Sequence, residues 1–224
     1  MSLRRDLPTL TLLGLILDAI LAFSGAEDLA AAGADLDAAV GDLRADAPGL
    51  LRPCRLFEPL GECFDLARRT GMAFDTMERL RLTIAALPTP DARTVFLQAR
   101  SLALCCVQEA QITAATTFRS RNEIDRVLAI LTAAFAVSQQ AAADVGDADG
   151  FRALVSLRAA AVRDLTARSR PLPRLVSYAF GKVRSSLTLA QRLYGDAGRA
   201  SELIAENEVI HPLFVPRVGR ALSA

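Results

Sequence analysis

Histidine, lysine and aromatic side chains are scarce in this chain, and each scarcity excludes a chemistry. His211 is the only histidine, it lies far along the chain from Cys54, Cys63, Cys105 and Cys106, and no CxxC pair occurs. A Cys/His zinc site is therefore not expected. A Ser-His-Asp triad would have to use His211, which precedes Pro212 and so sits in extended backbone. Ser185-Ser186 lack the G-x-S-x-G turn, and neither a P-loop nor a G-x-G-x-x-G phrase is present. Asp196, Glu202 and Glu206 could supply paired carboxylates, but they read as caps and solvated helix positions. The expectation is a protein that is not an enzyme, with no catalytic residue, cofactor or metal. Aromatic residues make up 5% of the chain, and few β-branched runs alternate with polar residues, so strands should be scarce. Vicinal Cys105-Cys106 on a helix point about 100° apart, so both cannot easily face one partner. Buried free thiols are the default for all four cysteines, with a Cys54–Cys63 disulfide left open for a particle outside the cell.

What is present is alanine, leucine and arginine. Hydrophobic residues reach 52% and charged residues 23% of 224, a globular balance long enough for a helical domain and a small appendage. The net charge of +1 hides an uneven distribution: −5 over residues 1–50, −1 over 51–150, +8 over 151–199 and −1 over the remainder. Lys182 is the sole lysine among 26 basic residues. Arginine forks suit carboxylate or phosphate partners, although a GC-rich genome explains the same usage. The apolar run Leu10–Phe23 follows Arg4 and Arg5 like a signal peptide. Asp6 before it and Asp18 within it argue instead for an amphipathic or buried helix, and the run is too short to span a bilayer.

The pattern predicts helices over Leu7–Phe23, with Pro8 in the first turn and Ser24-Gly25 as the stop, and over the acidic stretch Ala26–Arg44. Asp46–Pro59, with its three prolines, reads as a connector. Short helices follow over Leu60–Arg69 and Ala73–Leu87. Asp91 is the expected N-cap of a helix reaching Phe118, with Cys105 and Cys106 among its apolar positions and Glu109 and Gln111 polar. Ser120 and Glu123 have capping-box spacing before a helix with Ile124, Val127, Leu128, Leu131, Ala134, Phe135 and Ser138 at helical spacing. Phe151–Ala167 is the next helix, closed by Pro171 and Pro173, so residues 91–170 read as three antiparallel helices. Near the C-terminus come two short helices, Leu187–Tyr194 ending at Gly195-Asp196, and Arg199–Asn207 with Asn207 as a left-handed cap.

Two short helices between extended ends resemble the LysM βααβ plan. The matching residues are S-L-T-L-A-Q-R-L-Y-G at 186–195, E-L-I-A-E-N at 202–207, then Ile210, Pro212 and Pro216 before Leu222. R-L-Y-G-D-A-G-R-A-S-E-L-I-A-E-N at 192–207 with H-P-L-F-V-P at 211–216 also resembles the end of the Mu-type phage tail proteins called DNA circularisation proteins. F-R-S-R-N-E at 118–123, L-R-A-A-A-V-R-D-L-T-A-R at 157–168 and R-L-V-S-Y at 174–178 are similar to that family's helical part. The likeness covers roughly residues 95–224. No β-rich N-terminal domain like the family's is read here, so a shortened relative or the helical half of a split gene is expected. Leu213 and Arg217 stand where the family has glycine, which predicts an irregular or docked last strand.

The resemblance implies a mainly α fold: an N-terminal helical region over 1–90, a helical bundle over 91–180 and a LysM-like module over 181–224. It implies a structural subunit of a phage tail or baseplate, at the hub, the tube end or beside the tape measure. Such a subunit would be found in the virion after assembly in the host cytoplasm, in a homo-oligomeric ring or with other tail subunits. Leu189, Tyr194, Gly195, Asp196, Leu203, Asn207, His211, Pro212, Phe214 and Pro216 would shape the module, and Arg163, Arg168, Arg170, Arg174, Lys182 and Arg184 would form a basic docking face. Peptidoglycan binding by the module is the alternative. DNA contact is the third reading; the +8 segment favours it, but only Tyr178, Phe180 and Tyr194 are at hand for stacking. No membrane span is expected, and an exposed apolar first helix would suit a subunit contact.

Overall fold

Apolar residues at helical spacing nucleate the first half of the chain. The computed structural model describes residues 3–24, 30–51 and 55–223. Its elements are α1 (Leu3–Phe23), α2 (Ala30–Leu50), α3 (Phe57–Arg69), α4 (Phe74–Ala85), α5 (Ala92–Ala115), α6 (Arg121–Asp144) and α7 (Ala148–Ser169). There follow β1 (Leu175–Ala179), α8 (Ser186–Tyr194), a 3-10 turn at Ala197–Arg199, α9 (Ala200–Glu206) and β2 (Val218–Leu222). The fold is mainly α, with one two-stranded sheet among the described residues. The chain divides into two compact units, Met1–Thr116 with Ala129–Val162, and Thr117–Leu128 with Arg163–Ala224. The first strand thus lies upstream of residue 181, where the expected module begins.

In the first unit, Leu13, Ile16, Leu17 and Ile20 of α1 meet Leu36, Val40 and Leu43 of α2, and Leu60, Cys63 and Phe64 of α3. Met77 and Leu80 of α4 and Leu102 of α5 complete that cluster. Each such burial contributes roughly 1.5–3 kcal/mol. The α1 face is therefore core in the monomer and not a free subunit contact. The apolar stretch is also longer than the Leu10–Phe23 run: Asp6–Phe23 spans 18 residues at mean hydropathy 1.8, and by length and composition both it and α6 could cross a membrane. Pro8 falls beyond the first turn, because α1 begins at Leu3.

α2 corrects the expected connector. It runs through Pro48 to Leu50, because Leu43 and Ala47 are buried and Leu50 and Leu51 pack against the same core. Interior proline removes a hydrogen bond and crowds the preceding turn, and that burial offsets the strain. The Gly25 stop and Cys54 lie outside the described residues. Gly71, at φ +86, turns the chain after α3, its N–H donating to the Arg68 carbonyl at 3.1 Å. The Asp91 cap forms as expected: its carboxylate accepts the Arg93 and Thr94 N–H groups at 3.0 and 2.9 Å. Gln98 in α5 reaches back to donate to the Ile84 and Leu87 carbonyls at the end of α4.

Ser120 accepts the Glu123 N–H at 3.3 Å, and the Glu123 carboxylate accepts the Arg119 N–H at 2.8 Å. That is one residue earlier than a strict capping box. Of the seven positions named for α6, six are buried and Leu128 is half-buried. In the second unit, the first turn of α6 catches the chain leaving α7: Arg121 N–H donates to the Pro173 carbonyl at 2.9 Å, and Asn122 accepts the Leu175 N–H at 2.7 Å. β1 then pairs antiparallel with β2, Leu175 opposite Leu222 and Ala179 opposite Val218. The core beneath is Tyr178, Leu189, Ala190, Ala200, Leu203, Val215 and Ala221.

Candidate functional site

The residues singled out near the C-terminus collect in the second unit, where most of them build it. Leu189 and Leu203 are core. Gly195 closes α8 at φ +71, a left-handed cap that glycine takes without a Cβ penalty. Asp196 accepts the Gly198 N–H at 2.8 Å and starts the 3-10 turn. Tyr194 packs against the core with the Arg199 guanidinium 3.9 Å over its ring, and Glu202 holds that guanidinium in a forked pair. Burial pushes the Tyr194 and Tyr178 hydroxyls up from their ordinary pKa.

Asn207 corrects one expectation. Its φ is −112, not left-handed, and Glu208 takes the positive φ of 49 instead. The Asn207 side chain works harder than a cap. Its amide donates to the Leu203 carbonyl at 2.9 Å and the Arg220 carbonyl at 2.7 Å, while its oxygen accepts the Arg220 N–H at 2.8 Å. One side chain thereby bolts α9 to β2. Gly219 is required beside it, since a Cβ there would collide with the Asn207 oxygen and the Tyr178 hydroxyl. Leu213 and Arg217 avoid positive φ, and β2 pairs in regular register, so the irregular strand expected from the replaced glycines does not occur.

His211, Pro212, Leu213, Phe214 and Pro216 are exposed, and the His211 and Phe214 rings lie 5.4 Å apart. Ile210 is fully exposed and Phe214 is 67% exposed. This loop is anchored on the segment before α8: Ser186 N–H donates to the Pro212 carbonyl at 2.7 Å, Val215 N–H to the Arg184 carbonyl at 3.0 Å, and Phe180 N–H to the Arg217 carbonyl at 2.8 Å. Of the expected basic face, Arg163, Arg170, Arg174 and Lys182 are exposed. Arg168 pairs with Asp164 at 3.1 Å and lies over the Phe118 ring, and the Nε of Arg184 is buried.

The first unit holds features that the sequence reading passed over. Glu109, read as polar, is fully buried. Its positions relative to Leu102, Cys105 and Cys106 are i+7, i+4 and i+3, which puts it on their inward face. Arg81, 6% exposed, donates twice to Glu78 at 2.6 and 2.7 Å, with its Nε 3.6 Å from Glu109. Burial first, and then the neighbouring Glu78 carboxylate, push Glu109 up to about 9, against the pull of Arg81. Both Glu109 carboxyl oxygens are buried without a hydrogen-bond partner among the described residues, which disfavours the charged form. Cys63, Cys105 and Cys106 are buried free thiols. Burial raises Cys63 to about 11 and Cys106 to about 12, so neither is a ready nucleophile.

Clefts open on this unit among the described residues. One, of about 260 Å³, is lined by Phe57, Leu104, Leu154 and Leu157, with Arg100 stacked on Phe57 and paired to Asp147 at 2.9 Å. Another, of about 510 Å³ between α2 and α3, has Asp35, Asp42, Asp46 and Glu62 around an apolar floor and, among the described residues, no basic residue in its lining. No known protein family matches the chain and no curated protein is significantly similar to it, so the likeness to Mu-type tail proteins rests on the phrases quoted above.

Proposed function

We propose that this chain is a structural subunit of a phage tail or baseplate, working through protein–protein contacts at the hub, the tube end or beside the tape measure. The observation that carries the reading is the C-terminal unit. The phrases at 174–178, 192–207 and 211–216 that resemble the tail family fall within a strand–helix–helix–strand order, and their distinctive residues serve structure: Gly195 turns α8 and Asn207 bolts α9 to β2. That order also fits a LysM-like module. Exposed apolar residues on the same unit, Ile210 and Phe214 among them, suit an assembly block. Immunogold labelling of particles from the strain that carries the gene tests the reading. Gold at the distal end of tails is expected, and particles without gold beside labelled cell debris would reject it.

A second reading, peptidoglycan binding, is favoured by the exposed His211–Phe214 ring pair. Saturable retention of the full chain on purified peptidoglycan, abolished in Phe214→Ala, would select it over a purely structural role. The exposed arginines Arg163, Arg170 and Arg174 keep DNA contact in view. Failure to retain duplex DNA at low salt would dismiss it.

A further inference from the structure

The α2–α3 cleft and the C-terminal loop are complementary in both charge and surface. Asp35, Asp42 and Asp46 stand along α2, and Glu62 faces them from α3. None of the four is held in an ion pair among the described residues. Leu50 and Leu66 belong to the floor of the cleft. An apolar floor rimmed by four carboxylates calls for an apolar partner with a cationic rim.

The chain carries such a partner on its other unit. Ile210, Leu213 and Phe214 are 101%, 59% and 67% exposed, an apolar tip without cover. The hydrogen bonds from Ser186, Val215 and Phe180 hold residues 180–186 alongside 212–217, and Lys182 and Arg217 in these two segments are exposed. Residues 209–223 contain two arginines and no acid, and residues 180–192 contain three cations and no acid. We infer that the 210–217 tip of one copy docks in the acidic α2–α3 cleft of a second copy, a head-to-tail contact between identical chains. Such a contact uses different patches on the two partners, so it repeats from copy to copy and either closes into a ring or extends. The apolar contact supplies affinity, and the opposed charges set orientation and reject like ends.

The test is the mass of the full-length protein in solution, by light scattering over a concentration series at low and high salt. The expected result is a mass above the 23.9 kDa of one chain, rising with concentration and falling with salt. Asp42→Arg with Asp46→Arg, and separately Lys182→Glu with Arg217→Glu, should each weaken association by about tenfold or more. An equimolar mixture of the two reversed proteins should associate again, because each reversed patch then meets its opposite. If a reversed pair melts early by circular dichroism, the neutral pair Asp42→Asn with Asp46→Asn takes its place, with weakened, less salt-sensitive association expected. A wild type that stays a single chain at every concentration overturns the inference. So does an assembly that survives either change, or a mixture of two folded variants that stays apart. The placement in a tail rises or falls separately, by the immunogold label.

Discussion

At the scale of single residues, Glu109 is the side chain whose surroundings most alter its chemistry. A glutamate in an unfolded chain titrates near about 4.3. Buried beside Glu78, Glu109 keeps its proton up to about 9. Between those two values unfolding releases a proton, so stability falls as pH rises through that window; below it both states are protonated and the group has no pH effect. Glutamine has nearly the same shape, can donate toward the neighbouring carboxylate and does not titrate. Glu109→Gln should therefore raise the melting temperature at pH 8, by on the order of 1–3 kcal/mol in stability. It should leave melting at pH 4 nearly unchanged, and thermal melts at the two pH values check this. The buried cysteines beside it should stay slow toward thiol reagents until the chain unfolds, since burial holds Cys106 near 12.

At the scale of elements, helix ends follow local chemistry, while the joints between elements depend on side chains that reach far along the sequence. Asp91 and Thr94 start α5 by themselves. Asn207 instead spans 13 residues to Arg220, and its three hydrogen bonds secure α9 to β2. Asn207→Ala should cost about 1–3 kcal/mol, with hydrogen-exchange protection lost first in β1 and β2. Asn207→Asp keeps the acceptor for the Arg220 N–H and loses both donations, so it should fall between wild type and alanine. Equal protection in all three proteins would show that the strand pair holds without this bolt.

At the scale of the whole molecule, α1 decides whether the first unit exists. Its Leu12, Leu13, Ile16, Leu17 and Ile20 are all at most 2% exposed. Removing residues 1–23 would leave the facing surfaces of α2 and α3 without cover. The truncated chain should aggregate or lose cooperative melting; a monomer with intact helical dichroism would instead identify α1 as a docked accessory. The same scale brings out the asymmetry of charge. The acidic front supplies three of the four carboxylates that line the α2–α3 cleft, and Arg163, Arg170, Arg174 and Lys182 of the basic back are exposed on the second unit.

Much of this was legible in the sequence. The helical periodicity of residues 124–138, the Asp91 cap and the Gly195 turn are local signals, and local backbone chemistry obeyed them. Other features depended on remote neighbours. Pro48 reads as a break, yet the core contacts of Leu43 and Ala47 carry α2 through it. Glu109 reads as a solvated position, yet it faces Arg81 and Glu78 across a helix interface. Asn207 reads as a left-handed cap, and the approach of β2 turned it to another use. The sequence alone determined where helices form and that strands are few, because those depend on residues within a turn or two of each other. Which polar groups are buried, and which carboxylates and arginines become surface clefts and rims, was decided by tertiary structure, because desolvation and charge partners exist only once distant segments meet.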